Sequence, residues 1–99
     1  MKNPIEKIKV RNCDSVSSHG TVPNQFIITI KTKKGRKSVF QSYNTIIAVE
    51  EENGQIWLDK RMWDCSTTTG RYRNQFLGEN IAETRKKIKS GEYKLANLN

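Results

Sequence analysis

The stretch that decides the fold reads Gln25-Phe26-Ile27-Ile28-Thr29-Ile30-Lys31-Thr32-Lys33-Lys34-Gly35-Arg36-Lys37-Ser38-Val39-Phe40-Gln41-Ser42-Tyr43. Residues 26–30 are aromatic or β-branched and too few for an average helix, which predicts a central strand buried on at least one face. Lys33-Lys34-Gly35 supplies a glycine for a positive backbone angle, and residues 38–43 return as the second strand of a hairpin. A second hairpin is expected where residues 45–51 and 55–59 flank Asn53-Gly54, the dipeptide that best accepts the two positive angles of a type I′ turn. That turn sets Val49 opposite Leu58 and Glu51 opposite Ile56. Ile47, Val49, Ile56 and Leu58 would then share the buried face, with Ala48, Glu50 and Trp57 on the other.

Upstream, residues 5–10 alternate Ile5, Lys7 and Lys9 against Glu6, Ile8 and Val10, as an edge strand would. Residues 12–23 collect Asp14, Ser15, Ser17, Ser18, His19, Gly20 and Pro23 and predict a surface loop. Downstream the period changes. Ser66 and Thr67 to Thr69 offer hydroxyl N-caps, Tyr72 and Phe76 stand one helical turn apart, and Gly78 fits a left-handed C-cap. Asn80-x-x-Glu83 opens a second helix with a capping box, Ile81 and Ile88 mark its inner face around Thr84, and Gly91 closes it. Residues 93–98 keep enough apolar content to dock back. Phe26, Phe40 and Phe76 are expected in the core. The fold class is α+β: an antiparallel meander of about four to five strands, then two short helices packed on one face, in a single domain spanning residues 1–99.

Ninety-nine residues with 34% hydrophobic and 28% charged content bound a small domain with a thin core and exclude most multi-domain enzymes. Eighteen Lys and Arg against ten Asp and Glu give a formal charge of +8, with a pI near 9.7 and a mean hydropathy of -0.77, so the expected partner is acidic. The apolar runs fall far short of the roughly 18 residues of a membrane span, and the N-terminus lacks the apolar region of a secretory signal. These features predict no membrane association and an intracellular site. Cys13 and Cys65 are expected as free thiols, because nothing around them resembles a disulfide framework.

No catalytic group is expected. His19 lies near Asp14 and several serines, but in a flexible loop that does not fix a nucleophile and base. Two distant cysteines and one histidine do not make a zinc site, and Glu50-Glu51-Glu52 reads as a solvated hairpin end. No phosphate-cradling glycine loop occurs, so neither a metal nor a cofactor is expected. Basic charge is the stronger lead. Lys31, Lys33, Lys34, Arg36 and Lys37 gather at the first hairpin turn, Arg71 and Arg73 flank Tyr72, and Arg85, Lys86, Lys87 and Lys89 cover the second helix. Three such zones would contact a phosphate backbone without reading base sequence. Asp64-Cys65-Ser66-x-Thr68-Thr69 reads as a strand-to-helix corner whose side chains cap the first helix. The alternative is an anion held there with Arg71 and Arg73.

The segments Phe40-x-Ser42-Tyr43-x-Thr45-x-Ile47-Ala48, Leu58-Asp59 and Trp63-Asp64-Cys65-Ser66-x-Thr68-Thr69-x-x-Tyr72-x-x-x-Phe76-Leu77 resemble a family of small proteins encoded by bacteriophages and related mobile elements. The resemblance covers about half the chain, and Cys65 stands where an aromatic is expected. It implies the cytoplasm of an infected bacterium, where small non-enzymatic proteins act on phage nucleic acid or inhibit host machinery. The expected function is therefore an accessory protein that binds nucleic acid or a host nucleoprotein through its basic surfaces. The alternative is a protein-only inhibitor of a host defence enzyme, such as an anti-CRISPR or other anti-defence factor, that blocks an acidic surface. A structural component of a phage particle is a third class.

Overall fold

A computed structural model describes residues 4–99. The chain forms β1 (Ile5–Asp14), β2 (Thr21–Thr32), β3 (Gly35–Ser42), β4 (Thr45–Glu50), β5 (Ile56–Asp59), α1 (Thr67–Leu77), α2 (Ile81–Ser90) and β6 (Lys94–Ala96). The six strands lie in the order β1-β2-β3-β4-β5-β6. The first five make the expected antiparallel meander, and β6 adds a parallel strand to β5. The α+β class thus stands, with the apolar tail completing the sheet edge. The 12–23 loop is shorter than expected: β1 and β2 extend into it and leave only residues 15–20 as bends.

Both helices form where their capping residues predict. Ser66 Oγ accepts from Thr69 N at 3.1 Å and Gly78 closes α1 at φ 70°, while Asn80 and Glu83 make a reciprocal capping box on α2. These caps satisfy amide donors that a helix end leaves without partners.

The helices cover one face of the sheet, termed here the inner face. Phe40, Ala48, Ile56, Leu58 and Cys13 form its core with Ile47, Tyr72 and Tyr93, and Phe76 stacks on Phe40 at 6.0 Å between ring centroids. Ser42 Oγ and the Thr69 hydroxyl share a buried hydrogen bond of 2.9 Å that ties β3 to α1. Phe40 is fully buried as expected, whereas Phe76 is half-buried at the rim and Phe26 lies on the opposite face.

The second hairpin departs from the expected register. Ala48 faces Leu58, Val49 faces Trp57 and Glu50 faces Ile56. The connection is longer than a two-residue turn: Gly54 N donates to Glu51 O at 3.0 Å and Glu51 N to Gln55 O at 2.9 Å. Asn53 Oδ1 accepts from Gln55 N at 2.9 Å, an Asx turn that replaces the left-handed angle a type I′ turn would require of it. Val49 therefore shares the outer face with Trp57, and Ala48 is buried. Ile47 reaches the core by another route. Phe40 pairs with Ala48 and Gln41 with Ile46, so Ile47 is the extra residue of a β-bulge and is buried beside Ala48.

Candidate nucleic-acid interface

Alternation along β2, β3 and residues 7–12 of β1, between the register shifts at either end of that strand, assigns the basic side chains to faces. Lys7 is in register with Lys31, and Lys31 with Arg36, so three cations stand in one row across three strands. Two residues along, Lys9 is in register with Thr29. Lys7, Lys9, Thr29, Lys31 and Arg36 line a recess of about 350 Å³ on the part of the inner face that the helices leave open. With strands about 4.8 Å apart and about 3.4 Å per residue, the four cations occupy roughly 10 by 7 Å. None of the four makes an ion pair among the described residues. Like charges directly opposite destabilise a sheet, so this row is a local conflict that an anion would relieve.

The remaining tip is partly neutralised. Lys37 points to the outer face and pairs with Glu51 at 3.4 Å. Arg36 N donates to Glu52 Oε1 at 2.7 Å, and a Cβ on Gly35 would lie 3.0 Å from Glu52 Cβ, so the two hairpin tips pack together. Lys33 and Lys34 are exposed at the turn and extend the cationic surface from its end. Glu50-Glu51-Glu52 is thus a counter-charge to the tip.

Two cations expected on binding surfaces are structural. Arg73 is 2% exposed: it donates to Trp63 O at 2.8 Å, Asp64 Oδ1 at 3.2 Å and Asn74 Oδ1 at 3.0 Å, and its guanidinium lies 5.3 Å from the centroid of the Trp63 ring. It clamps the strand-to-helix corner. Lys87 donates to Glu79 Oε1 at 2.7 Å and lies over the Tyr93 ring. Glu79 also accepts from the Thr84 and Tyr93 hydroxyls, and this set holds α2 against the chain entering β6. Burial raises the Glu79 carboxyl, but its hydrogen bonds from Lys87, Thr84 and Tyr93 prevail and hold it below the usual carboxylate range. Arg71, Arg85, Lys86 and Lys89 are exposed on the helices and do not line the recess. Arg85 approaches Asp64 at 3.6 Å, which places a carboxylate among the cations at the start of α1 and opposes an anion there.

The segment that carries the sequence resemblance is accounted for by packing. Ser42 bonds Thr69, Ser66 caps α1, Asp64 pairs with Arg73, and Tyr72 Oη accepts from Val16 N at 3.4 Å. Asp59 is buried, accepting from Met62 N at 2.9 Å, Arg61 N at 3.2 Å and Leu98 N at 2.8 Å. His19 is exposed, Cys13 is a buried free thiol and Cys65 an exposed one. No group of three or more His, Cys, Asp or Glu suited to a metal occurs among the described residues. No helix there is long and apolar enough to cross a membrane.

Lys7 and Lys9 were not among the expected site residues. Their signal was the alternation of residues 5–10, which puts both lysines on one side of an edge strand. The missing information was the register that brings that side next to Lys31.

Fold and site together define a small α+β sheet domain with a cationic recess on three adjacent strands. The chain belongs to a family of unknown function (DUF8033), matched over residues 9–92. No curated protein and no solved structure matches it.

Proposed function

We propose that this chain binds nucleic acid without catalysis, holding the phosphate backbone against Lys7, Lys9, Lys31 and Arg36. The setting that fits is the bacterial cytoplasm during infection by a phage or carriage of a mobile element, as the sequence resemblance implies. One observation carries the reading: a row of like charges runs across three strands and makes no ion pair among the described residues, with Glu50, Glu51 and Glu52 near only its Arg36 end. Lysine and arginine on an open surface neutralise phosphates and release counterions, which gives affinity without base readout. Lys33 and Lys34 continue the path at the hairpin end, and Arg71, Arg85, Lys86 and Lys89 provide outlying charge.

The test is fluorescence anisotropy with labelled single- and double-stranded DNA and RNA across a salt series. The expected result is a linear fall of log K with log salt, steep enough for several phosphates. Replacing Lys7, Lys9, Lys31 and Arg36 by glutamine should reduce the slope by up to about 3.6 on duplex DNA, at about 0.9 per phosphate contact. Lys31→Gln alone should raise the melting temperature while weakening binding, because it removes the central charge of the row. No binding at low salt, or a slope unchanged by the four substitutions, overturns the proposal. The reading would then move to a protein-only inhibitor whose target presents carboxylates.

A further inference from the structure

The outer face of the sheet, opposite the helices, is apolar. One row crosses five strands as Val10, Ile28, Val39, Val49 and Trp57. Ile8 and Ile30 form the next row, and Phe26 lies on the far side. Val39 is 6% exposed yet stands outside the core cluster. Ile5, Ile8 and Val10 on β1 are 55%, 53% and 60% exposed. An antiparallel sheet with one wet face normally turns polar residues outward. Over β1 and β2 this sheet does the reverse: its lysines are on the helix side, beyond the helices, and its isoleucines are on the bare side.

We propose that this face is an interface with a second copy of the chain, packed sheet to sheet about a two-fold axis. Charge favours that occupant. The monomer carries +8, but the cations in register with the face are Lys37, neutralised by Glu51, and Lys94 at the far edge. Two copies can therefore meet here with little repulsion, while a nucleic acid or an anionic membrane would find no matching cationic array. Size agrees. Strand spacing and rise give a face of roughly 20 by 25 Å, about 500 Å² per copy and 1,000 Å² for the pair, the threshold of a specific interface. A two-fold axis lays the exposed β1 side chains of each copy over the same face of the other, as an isologous contact requires. Sheets packed this way lie about 10 Å apart and leave both cationic recesses on the outside of the pair.

The test is sedimentation equilibrium over a concentration series, with far-UV circular dichroism to verify folding. The expected mass is twice the chain mass of 11.4 kDa at tens of micromolar and above. Val10→Glu, at an exposed position, should raise the dimer dissociation constant about a hundredfold, because both copies lose an apolar contact and gain a buried charge. Trp57→Gln should also weaken the dimer. A monomer at all concentrations up to several hundred micromolar overturns the proposal. So does a dimer that is lost in Val10→Glu but survives in Trp57→Gln, which would mark edge pairing of two β1 strands instead.

Discussion

Truncating Arg73 to alanine should lower stability by about 2–4 kcal/mol and leave the nucleic-acid affinity of the folded protein unchanged. The magnitude follows from what the guanidinium touches. Its bonds to Trp63 O, Asp64 and Asn74 lie between 2.8 and 3.2 Å, and a hydrogen bond involving a charged group contributes about 1.5–3 kcal/mol. The Trp63 ring adds about 0.5–2 kcal/mol. These contributions overlap, since one group makes them all. Breaking a fully buried pair costs about 3–5 kcal/mol, mostly from the charge left behind. Here the Asp64 side chain is 43% exposed and keeps Arg85, so the loss belongs toward the lower part of that range. At about 4–8 °C per kcal/mol for a chain of this size, the midpoint should fall by about 8–32 °C. Thermal and urea unfolding followed by circular dichroism measure it. Arg73→Met, which keeps the volume of the stem, should lose less than Arg73→Ala. An Arg73→Ala protein that melts within about 2 °C of the parent yet loses affinity as Lys31→Gln does would refute the assignment of Arg73 to the interior.

Two further outcomes follow from the same contacts. Burial raises the Asp59 carboxyl, but amide hydrogen bonds from Leu98, Met62 and Arg61 outweigh it and bring the pKa below its ordinary 3.8, and Glu79 is likewise held below 4.5. A lowered carboxylate contributes fully above its unfolded value and loses that contribution as pH falls through the folded one. Lys87, raised first by its bond to Glu79, and Tyr93, pushed up to about 12 first by burial, contribute fully below their unfolded values and lose it as pH rises through the raised ones. Melting midpoints should therefore be nearly level from about pH 5 to 9, fall below about pH 4 and fall above about pH 10. The acid limb should flatten in Asp59→Asn/Glu79→Gln, and an unchanged acid limb would count against both networks. Gly35→Ala should cost about 1–3 kcal/mol, from its φ of 142° and from contact with Glu52. In a Glu52→Gly background only the backbone part should remain, and equal losses in both backgrounds would show that the hairpin tips do not pack together.

The sequence makes some of this legible and withholds the rest for physical reasons. Ser66, Gly78, Asn80, Glu83 and Gly91 act on backbone groups within a few residues, so both helix ends can be read from local chemistry. The strands of residues 26–43 follow from composition and one turn. Register does not. Asn53-Gly54 suits a two-residue turn, but the Asn53 side chain bonds Gln55 N instead, and that choice moves every pairing between β4 and β5 by one residue. The bulge at Ile47 is equally hidden, because an extra residue in a strand has no marker when its neighbours are also apolar. Among the basic residues, charge was visible but burial was not. Arg73 and Lys87 resemble Arg71 and Lys86 in sequence, and only the positions of Asp64, Trp63, Glu79 and Tyr93 separate the clamps from the surface.

The recess and the bare face have one geometric origin. A sheet of six strands spans about 24 Å between its outer strands, whereas α1 and α2, at 11 and 10 residues, are each only about 15–16 Å long. They cover β3, β4, β5 and the Cys13 end of β1, where Phe40, Ala48, Leu58 and Cys13 supply the inner core, and leave the part of β1 and β2 around Lys7, Lys9 and Lys31 uncovered. The uncovered inner positions are Lys7, Lys9, Thr29 and Lys31, which tolerate water and attract anions. Apolar residues of the same strands fall on the other parity, so Ile8, Val10, Ile28 and Ile30 must face outward. Shifting β1 by one residue against β2 would put lysines on the outer face and isoleucines into the recess, removing both surfaces together. Yet the two surfaces draw on different side chains. Glutamine at Lys7 and Lys31 should weaken anion binding while the pair persists, and glutamate at Val10 should separate the pair while each monomer keeps its recess. A single substitution on either face that abolished both properties without unfolding the chain would mean that the two faces are not independent.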